Sequence, residues 1–167
     1  IGGNTLGIPD GARDHRQIDA LCLTYTSAPL ETELEVTGPV KAVLYAMSST
    51  TDTDWVVRLE DVDADGLSRN LCDGILRARY RNSYEHPEPL EPGKIYRFEI
   101  DLWATSNAFL PGHRLRVAVT SSCFPRFDRN LNTGGPIHRE AIGQIAINTV
   151  LHDQERPSHI VLPVIDR

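Results

Sequence analysis

The stretch that decides the fold is residues 40 to 72, VKAVLYAMSSTTDTDWVVRLEDVDADGLSRNLC. Apolar residues recur at every second position in Val40–Ser48 and again in Trp55–Val62, which is the period of an extended strand. Both faces of Val40–Ser48 are rather apolar, as is typical of a central strand in a sandwich. Asp65-Gly66 is a strong hairpin signal, so the sequence predicts an antiparallel pair between Trp55–Val62 and Ser68–Cys72.

The same alternation continues outward from this stretch. It predicts further short strands over Leu21–Ser27, Leu34–Thr37, Ile75–Tyr80, Ile95–Leu102, Leu115–Thr120, Gln144–Leu151 and Ile160–Ile165. Gly38-Pro39 is expected to separate two strands, and residues 104–109 (ATSNAF) suit a short helical turn. Many short strands without a long amphipathic helix predict an all-β fold, a jelly-roll β-sandwich. An immunoglobulin-type sandwich is the alternative, but its Cys-Trp-Cys signature is absent.

Two regions are expected along the chain. Residues 1–20 are polar and rich in glycine, which predicts an extended lead-in or linker, and residues 21–167 form the sandwich domain. The chain starts at Ile1 and its one methionine is Met47, which suggests a processed chain or an excised domain.

The composition argues against some classes of function. The 167 residues are 40% hydrophobic and 24% charged, as in a folded globular domain. A formal charge of -6 argues against a nucleic-acid partner, and no apolar run reaches the length of a membrane helix. Cys22, Cys72 and Cys123 are too few and too widely spaced for a disulfide framework, so we expect free thiols and a cytoplasmic location.

No complete catalytic motif is present. The sequence has no Gly-x-Ser-x-Gly nucleophile elbow, and its six histidines form no His-Glu-x-x-His pair. Ser121-Ser122-Cys123 ends a predicted strand without a nearby base or oxyanion hole. Asp61-x-Asp63-x-Asp65 begins like a calcium loop, but Cys72 stands where the bidentate glutamate belongs, which favours a hairpin turn. We therefore expect no catalytic residue, no metal and no cofactor.

Asp52 and Asp54 precede Trp55 and point to the same side of an extended chain. They suit either acid–base or cation chemistry, or the capping of turns, which is the more common role. Large aromatic residues usually fill a sandwich core, and this is the expected place of Tyr25, Tyr45, Trp55 and Trp103.

The segment Phe124–Gly134 (FPRFDRNLNTG) is irregular and rich in charge. Arg126, Asp128, Arg129 and Asn130 are expected to form a hydrogen-bonded network within this loop. Contact of Arg126 with a ligand or a neighbouring domain is the alternative.

Three stretches carry a family resemblance. They are residues 29–66, which begin PLETELEVTGPVKAVLYA, residues 70–134, which end LPGHRLRVAVTSSCFPRFDRNLNTG, and Asp14-His15-Arg16. Together they resemble the C-terminal domain of the X-prolyl dipeptidyl-peptidase and cocaine-esterase-like hydrolases. The resemblance implies a galactose-binding-domain-like jelly roll that packs on an α/β-hydrolase domain of the same polypeptide, where the Ser-Asp-His triad lies.

The resemblance also implies a role. The domain would be an accessory part of a serine hydrolase, an X-Pro dipeptidyl-peptidase or acyl esterase, and would help to wall its substrate pocket and join oligomer contacts. Asp52-Thr53-Asp54-Trp55 matches an Asp-Thr-Asp-aromatic motif near the domain junction, so Asp52, Asp54, Trp55 and Arg126 are the candidate pocket or interface residues. Whether Trp55 faces that pocket or the core stays open. A free-standing carbohydrate-binding or oligomerisation module is the rival, and a missing partner domain predicts an exposed apolar patch.

Overall fold

The computed structural model describes residues 14–136 and 139–166 as two antiparallel sheets with a shared core. Its elements are α1 (Arg16–Asp19), β1 (Leu23–Thr26), β2 (Leu34–Ser48), β3 (Asp54–Val62), β4 (Ser68–Arg77), a 3-10 turn (Ala78–Tyr80), β5 (Tyr96–Phe109), β6 (Arg114–Thr120), β7 (Asn148–Leu151), β8 (His159–Val161) and β9 (Val164–Ile165). One sheet has the order β1-β6-β3-β4, and in the other β2 lies between β5 and the short strands β7, β8 and β9. The predicted all-β sandwich is confirmed.

The core lies between the sheets and takes side chains from both. They are Val36, Val40, Ala42, Leu44, Ala46, Phe98, Ile100, Leu102 and Phe109 from the β2 sheet, and Trp55, Val57, Leu59, Cys72, Leu76 and Val119 from the β3 sheet. Each set follows the alternation of its strand, since every second side chain of a strand faces the same side.

Strand β2 runs through the break that the sequence predicts at Gly38-Pro39. Its pairing with β5 continues from Leu34 to Ala46, with a register shift between Pro39 and Lys41. A bulge of this kind absorbs a proline that cannot donate to the ladder. The prediction of two separate strands was therefore wrong.

Two other predicted boundaries also differ. β5 extends to Phe109, so residues 104–109 are strand and not a helical turn, because β2 offers a paired partner along this whole length. β4 is one strand across Cys72–Ile75, where Gly74 lets the sheets approach closely: a Cβ atom there would collide with the backbone oxygen of Asp101.

The β3–β4 hairpin is confirmed at the predicted turn. Gly66 has φ +82°, and the Oδ1 atom of Asp63 accepts hydrogen bonds from the backbone N–H groups of Asp65 and Leu67. Asp63 also pairs with Arg69 at 3.0 Å. Asp63 of the acidic run therefore stabilises the turn, whereas Asp61 lies in β3 and pairs with His113.

The described part of the lead-in packs on the β3 sheet. Asp14 forms an isolated bridge with Arg69, and the backbone N–H of His15 donates to the Ser68 carbonyl at 2.8 Å. Residues 16–19 form one helical turn, whereas an extended segment was expected here. The remainder of residues 1–20, up to residue 13, lies outside the described residues.

Candidate functional site

The site lies at one end of the sandwich, which we call the loop end: segments 49–53, 121–136 and 139–147. β3 begins there at Asp54 and β6 ends there at Thr120, as their register shows. The opposite end carries the β3–β4 turn and the β5–β6 turn at Leu110 to Gly112.

Asp52 and Asp54 are almost fully buried at the loop end and form two ion pairs. Asp54 takes a bidentate pair from Arg77, with distances of 2.8 and 3.0 Å from Nε and Nη2. Asp52 accepts from Arg79 Nε at 2.7 Å and from its backbone N–H at 3.0 Å. The ion pair with Asp54 raises the pKa of Arg77, against the opposing effect of burial. The cationic form of Arg77 is thereby favoured.

The two carboxylates are joined through Asn130. Its Nδ2 atom donates to Asp52 Oδ2 at 2.9 Å and to Asp54 Oδ1 at 2.7 Å. This bridge requires the two side chains to share one side of the strand, as their spacing predicts. Asn130 belongs to the irregular segment after β6, so the carboxylates hold that segment onto the sheet.

Arg79 extends the same contact to the next part of the loop. Its Nη1 and Nη2 atoms donate to the carbonyls of Gly134 and Gly135 at 3.0 and 3.1 Å. Gly134 has φ +78°, which a glycine adopts without strain, and a Cβ there would press on Thr51. Buried charge thus sets the path of residues 130–135.

Trp55 is a core residue. It is 2% exposed, and its ring lies 5.7 Å from that of Phe98 in the opposite sheet. The indole Nε1 is buried, and no acceptor among the described residues reaches it. Of the two orientations left open by the sequence, the structure has the inward one, so Trp55 does not line a surface pocket of this domain.

Arg126 makes its ion pair with a residue outside its own loop. It pairs with Asp73 on β4, and its guanidinium lies 5.0 Å from the Phe127 ring centre. Asn130 binds the β3 carboxylates, and Arg77 donates to the Asp128 carbonyl at 3.5 Å. Within the loop, the Asn132 backbone N–H donates to Asn130 Oδ1 at 2.9 Å. The contacts with β3 and β4 add to the expected network and fix the loop to the sheet.

A segment that the sequence did not single out is the most exposed apolar feature of the loop end. In the isoleucine segment, residues 142–147, Ile142, Ile145 and Ile147 are 84%, 94% and 72% exposed. Its backbone is nevertheless anchored: Ser49 and Ile147 exchange hydrogen bonds of 2.9 and 3.0 Å, and Gln144 bonds the Leu131 carbonyl at 2.8 Å. The signal in the sequence was an apolar alternation that was interpreted as a strand over Gln144–Leu151, whereas β7 begins only at Asn148.

Two of the aromatics expected in the core are exposed. Trp103 is 66% exposed with φ +66°, at a bulge where Leu102 and Trp103 face Val40 alone. It borders a cleft of about 310 Å³ with Tyr84 and Phe127. Tyr25 is also exposed, and Tyr45 is half-buried. The bulge turns Trp103 outward, which alternation alone did not predict.

The serines at the end of β6 have no catalytic surroundings within the described chain. The Ser121 hydroxyl accepts a hydrogen bond from Asn148 at 3.0 Å, and Asn148 also donates to Thr53. All three cysteines are free thiols. No helix in the described part of the chain is long and apolar enough to span a membrane.

The fold and the site together define a class: a two-sheet β-sandwich with buried aspartate–arginine pairs and exposed isoleucines at its loop end. The model of the X-Pro dipeptidyl-peptidase C-terminal non-catalytic domain matches residues 12–161, and the chain belongs to this family. The expected resemblance is confirmed.

Similar proteins agree with this assignment. The chain is 49% identical over 164 residues to the cocaine esterase of Rhodococcus sp. (strain MB1 Bresler), covering 95% of this chain and 28% of that protein. A putative serine esterase of Mycobacterium bovis is 40% identical over 126 residues, which are 65% of this chain and 20% of that protein.

Solved structures share the fold. An aminopeptidase from a marine sediment archaeon, Thaumarchaeota archaeon, superposes with a TM-score of 0.88 at 34% identity, covering 93% of this chain and 28% of that one. An α-amino acid ester hydrolase has a TM-score of 0.88 at 35% identity, covering 92% and 27%. The chain thus spans little more than a quarter of the length of these relatives.

Proposed function

We propose that this domain is the accessory C-terminal part of a serine hydrolase and that its loop end packs on an α/β-hydrolase domain of the same polypeptide. The family is described as non-catalytic, and the relatives named above are esterases, an ester hydrolase and an aminopeptidase. The parent reaction would be hydrolysis of an ester or amide bond through an acyl-enzyme.

The isoleucine segment is the single observation that carries the choice of surface. Three large apolar side chains stand in solvent on a backbone that is hydrogen-bonded at Gln144 and Ile147. In a loop that stays in solvent, apolar side chains held outward bring no gain in stability. On a docking surface they favour binding, because side chains on a fixed backbone lose less entropy when the partner binds.

Asp52 and Asp54 support that surface from below. They are buried and cannot touch a substrate themselves, but through Arg79 and Asn130 they fix residues 130–135 beside the isoleucine segment. In this proposal they are positioning residues for the part of the loop end that walls the hydrolase pocket, and Arg126 fixes its edge against β4.

The first experiment is to determine the full coding sequence around this chain. We expect an α/β-hydrolase domain with a Gly-x-Ser-x-Gly elbow. A gene that encodes nothing beyond this chain would overturn the proposal.

The second experiment uses that full-length protein with Ile142, Ile145 and Ile147 changed to serine. We expect a lower melting temperature of the hydrolase domain and a fall in ester hydrolysis of at least tenfold. Leu110→Ser is the matched control, because Leu110 is an exposed apolar residue at the opposite end of the sandwich. Equal behaviour of the triple variant and the control would contradict docking through the loop end.

A carbohydrate-binding module is the second candidate, and one observation favours it. The exposed Trp103 borders a cleft with Tyr84, Asp101 and Arg126, which offers an aromatic platform beside polar groups. A glycan array with the chain and with Trp103→Ala tests it. Binding that depends on Trp103 would support this function, and no binding would exclude it.

Two earlier expectations remain proposals. A cytoplasmic location fits three free thiols. A homo-oligomer remains a prediction for the full-length protein.

A further inference from the structure

A second cluster of chemically active side chains lies away from the loop end, beneath the lead-in. His15 directly precedes the helical turn α1, Asp19 is its last residue, and Glu60 lies on β3. One ligand atom from each of the three lies within 4.8 Å of the others. His15 Nδ1 is 3.1 Å from Glu60 Oε1. Folding has joined groups that are 45 residues apart in the chain.

The outer oxygen of each carboxylate is already held. Ser68 Oγ donates to Glu60 Oε2 at 3.0 Å, and Arg116 Nη1 donates to Asp19 Oδ2 at 2.7 Å. Hydrogen bonds of this kind orient carboxylates that ligate metals. The other oxygen of Glu60 contacts His15 Nδ1, and the other oxygen of Asp19 has no hydrogen-bond partner among the described residues. A ligand at the site would bind these two oxygens and the imidazole.

Asp19 Oδ1 is the observation that points to a ligand. The residue is 7% exposed, and this oxygen is buried without a hydrogen-bond partner among the described residues. A buried carboxylate oxygen without a partner costs free energy, and a bound cation is one way to remove that cost.

We propose that His15, Asp19 and Glu60 form a binding site for one divalent transition-metal ion, Zn²⁺ or Mn²⁺. One imidazole nitrogen and two carboxylate oxygens form a donor set that zinc and manganese accept. Calcium and magnesium prefer sets made of oxygen alone. Metal–ligand distances of about 2.0–2.2 Å place ligand atoms roughly 3–4.4 Å apart. His15 Nδ1 and Glu60 Oε1, 3.1 Å apart, lie in this range, and the limit of 4.8 Å for the cluster requires a small closing movement.

Charge sets a limit on the affinity. Arg116 pairs with Asp19, and Arg58 lies within electrostatic reach of Glu60. These two guanidinium groups offset the two carboxylates, so the site holds a metal less tightly than one with uncompensated charge.

The site would act as a clip. Two of its ligands are on the lead-in and the third is on the central strand β3, so a bound metal ties the segment that enters the domain to the sandwich. The three ligands come together only in the folded chain. The free energy of metal binding therefore stabilises the contact between the lead-in and β3.

The test is titration of the EDTA-treated chain with ZnCl₂ and, separately, MnCl₂, followed by calorimetry and thermal unfolding. We expect one ion bound per chain for at least one metal, and a higher melting temperature in its presence. Asp19→Asn and Glu60→Gln should each weaken binding at least tenfold. His15→Gln is the third variant, because it changes a partly exposed ring and spares the buried carboxylates.

The matched control is His113→Gln. His113 pairs with Asp61 of β3 at 2.8 Å, as His15 pairs with Glu60, but no third metal ligand was found with that pair in the described residues. Binding of one ion that survives in His113→Gln and is lost in His15→Gln supports the site. No binding of either metal, or equal loss in both variants, would overturn it. Neither readout depends on a hydrolase domain.

Discussion

At the scale of single residues, the motif Asp52-Thr53-Asp54-Trp55 divides between two roles. Trp55 points into the core beside Phe98, and the two aspartates point away from it to Asn130. The alternation of a strand imposes this division, because neighbouring side chains point to opposite faces. The motif therefore supplies both core packing and loop anchoring, and all four of its residues are buried.

Trp55 and Trp103 give a matched pair for testing burial. Trp55→Ala should lower the free energy of unfolding by about 3–5 kcal/mol, because it leaves a cavity between the sheets. Trp103→Ala removes an exposed ring and should change the free energy of unfolding by less than about 0.5 kcal/mol. Urea unfolding of the two variants measures both values. Similar losses in the two would mean that Trp55 is not a core residue.

The buried thiol of Cys72 makes the free energy of unfolding depend on pH in the alkaline range. Burial raises the pKa of its thiol to about 11 from 9.0, and Asp73 acts in the same direction. A folded pKa above the unfolded value favours the protonated thiol in the fold, so this contribution is complete below about pH 9 and is lost as the pH rises towards 11.

The expected result is that Cys72→Ala flattens the fall in the free energy of unfolding between about pH 9 and pH 11. Urea midpoints measured across this interval test it. Cys123→Ala, at a half-buried thiol, serves as the comparison. An unchanged slope in Cys72→Ala would show that another group causes the alkaline loss.

At the scale of elements, the loop end shows an irregular segment made rigid by neighbouring strands. Residues 130–135 have no strand of their own, yet Arg79 and Asn130 bind them to carboxylates at the start of β3. Buried ion pairs contribute little net stability when compared with apolar packing, but breaking one partner is costly because it leaves a buried charge. Their value here is to fix one path for the loop.

Asp52→Asn tests this anchoring. It leaves the Arg79 guanidinium without its charged partner, so we expect a loss of about 3 kcal/mol and faster hydrogen exchange at Gly134 and Gly135. Asp153→Asn, which breaks the exposed pair with Arg156, should lower the free energy of unfolding far less, because solvent screens that pair. Unchanged exchange at the two glycines would show that Arg79 does not hold the loop.

At the scale of the whole molecule, the most exposed large apolar side chains include the isoleucines of the loop end. The expected apolar patch has its clearest candidate in the isoleucine segment, with Trp103 and Tyr84 on another part of the surface. A net charge of -6 favours solubility of the isolated chain, while these side chains favour association.

The isolated chain should therefore self-associate at high concentration through the isoleucine segment. Changing Ile142, Ile145 and Ile147 to serine should lower the average mass in sedimentation equilibrium with little effect on the melting temperature, because these side chains make no core contact. Leu110→Ser should not lower it. A mass that is unchanged in the triple variant would place the contact elsewhere.

The sequence by itself determined the sandwich, the β3–β4 hairpin and the family, because alternation of period two and an Asp-Gly turn act over a few residues. It also placed Asp52 and Asp54 on one side, where Asn130 now joins them. It did not determine the continuity of β2 through Gly38-Pro39, since that depends on β5 as a partner.

Only the tertiary structure decided the orientation of Trp103, the partners of Arg126 and the meeting of His15 with Asp19 and Glu60. Each of these depends on a bulge or on a contact between segments far apart in the chain. Such contacts form only when the sheets close on a common core, and no local pattern of residue types records which distant side chain will lie opposite.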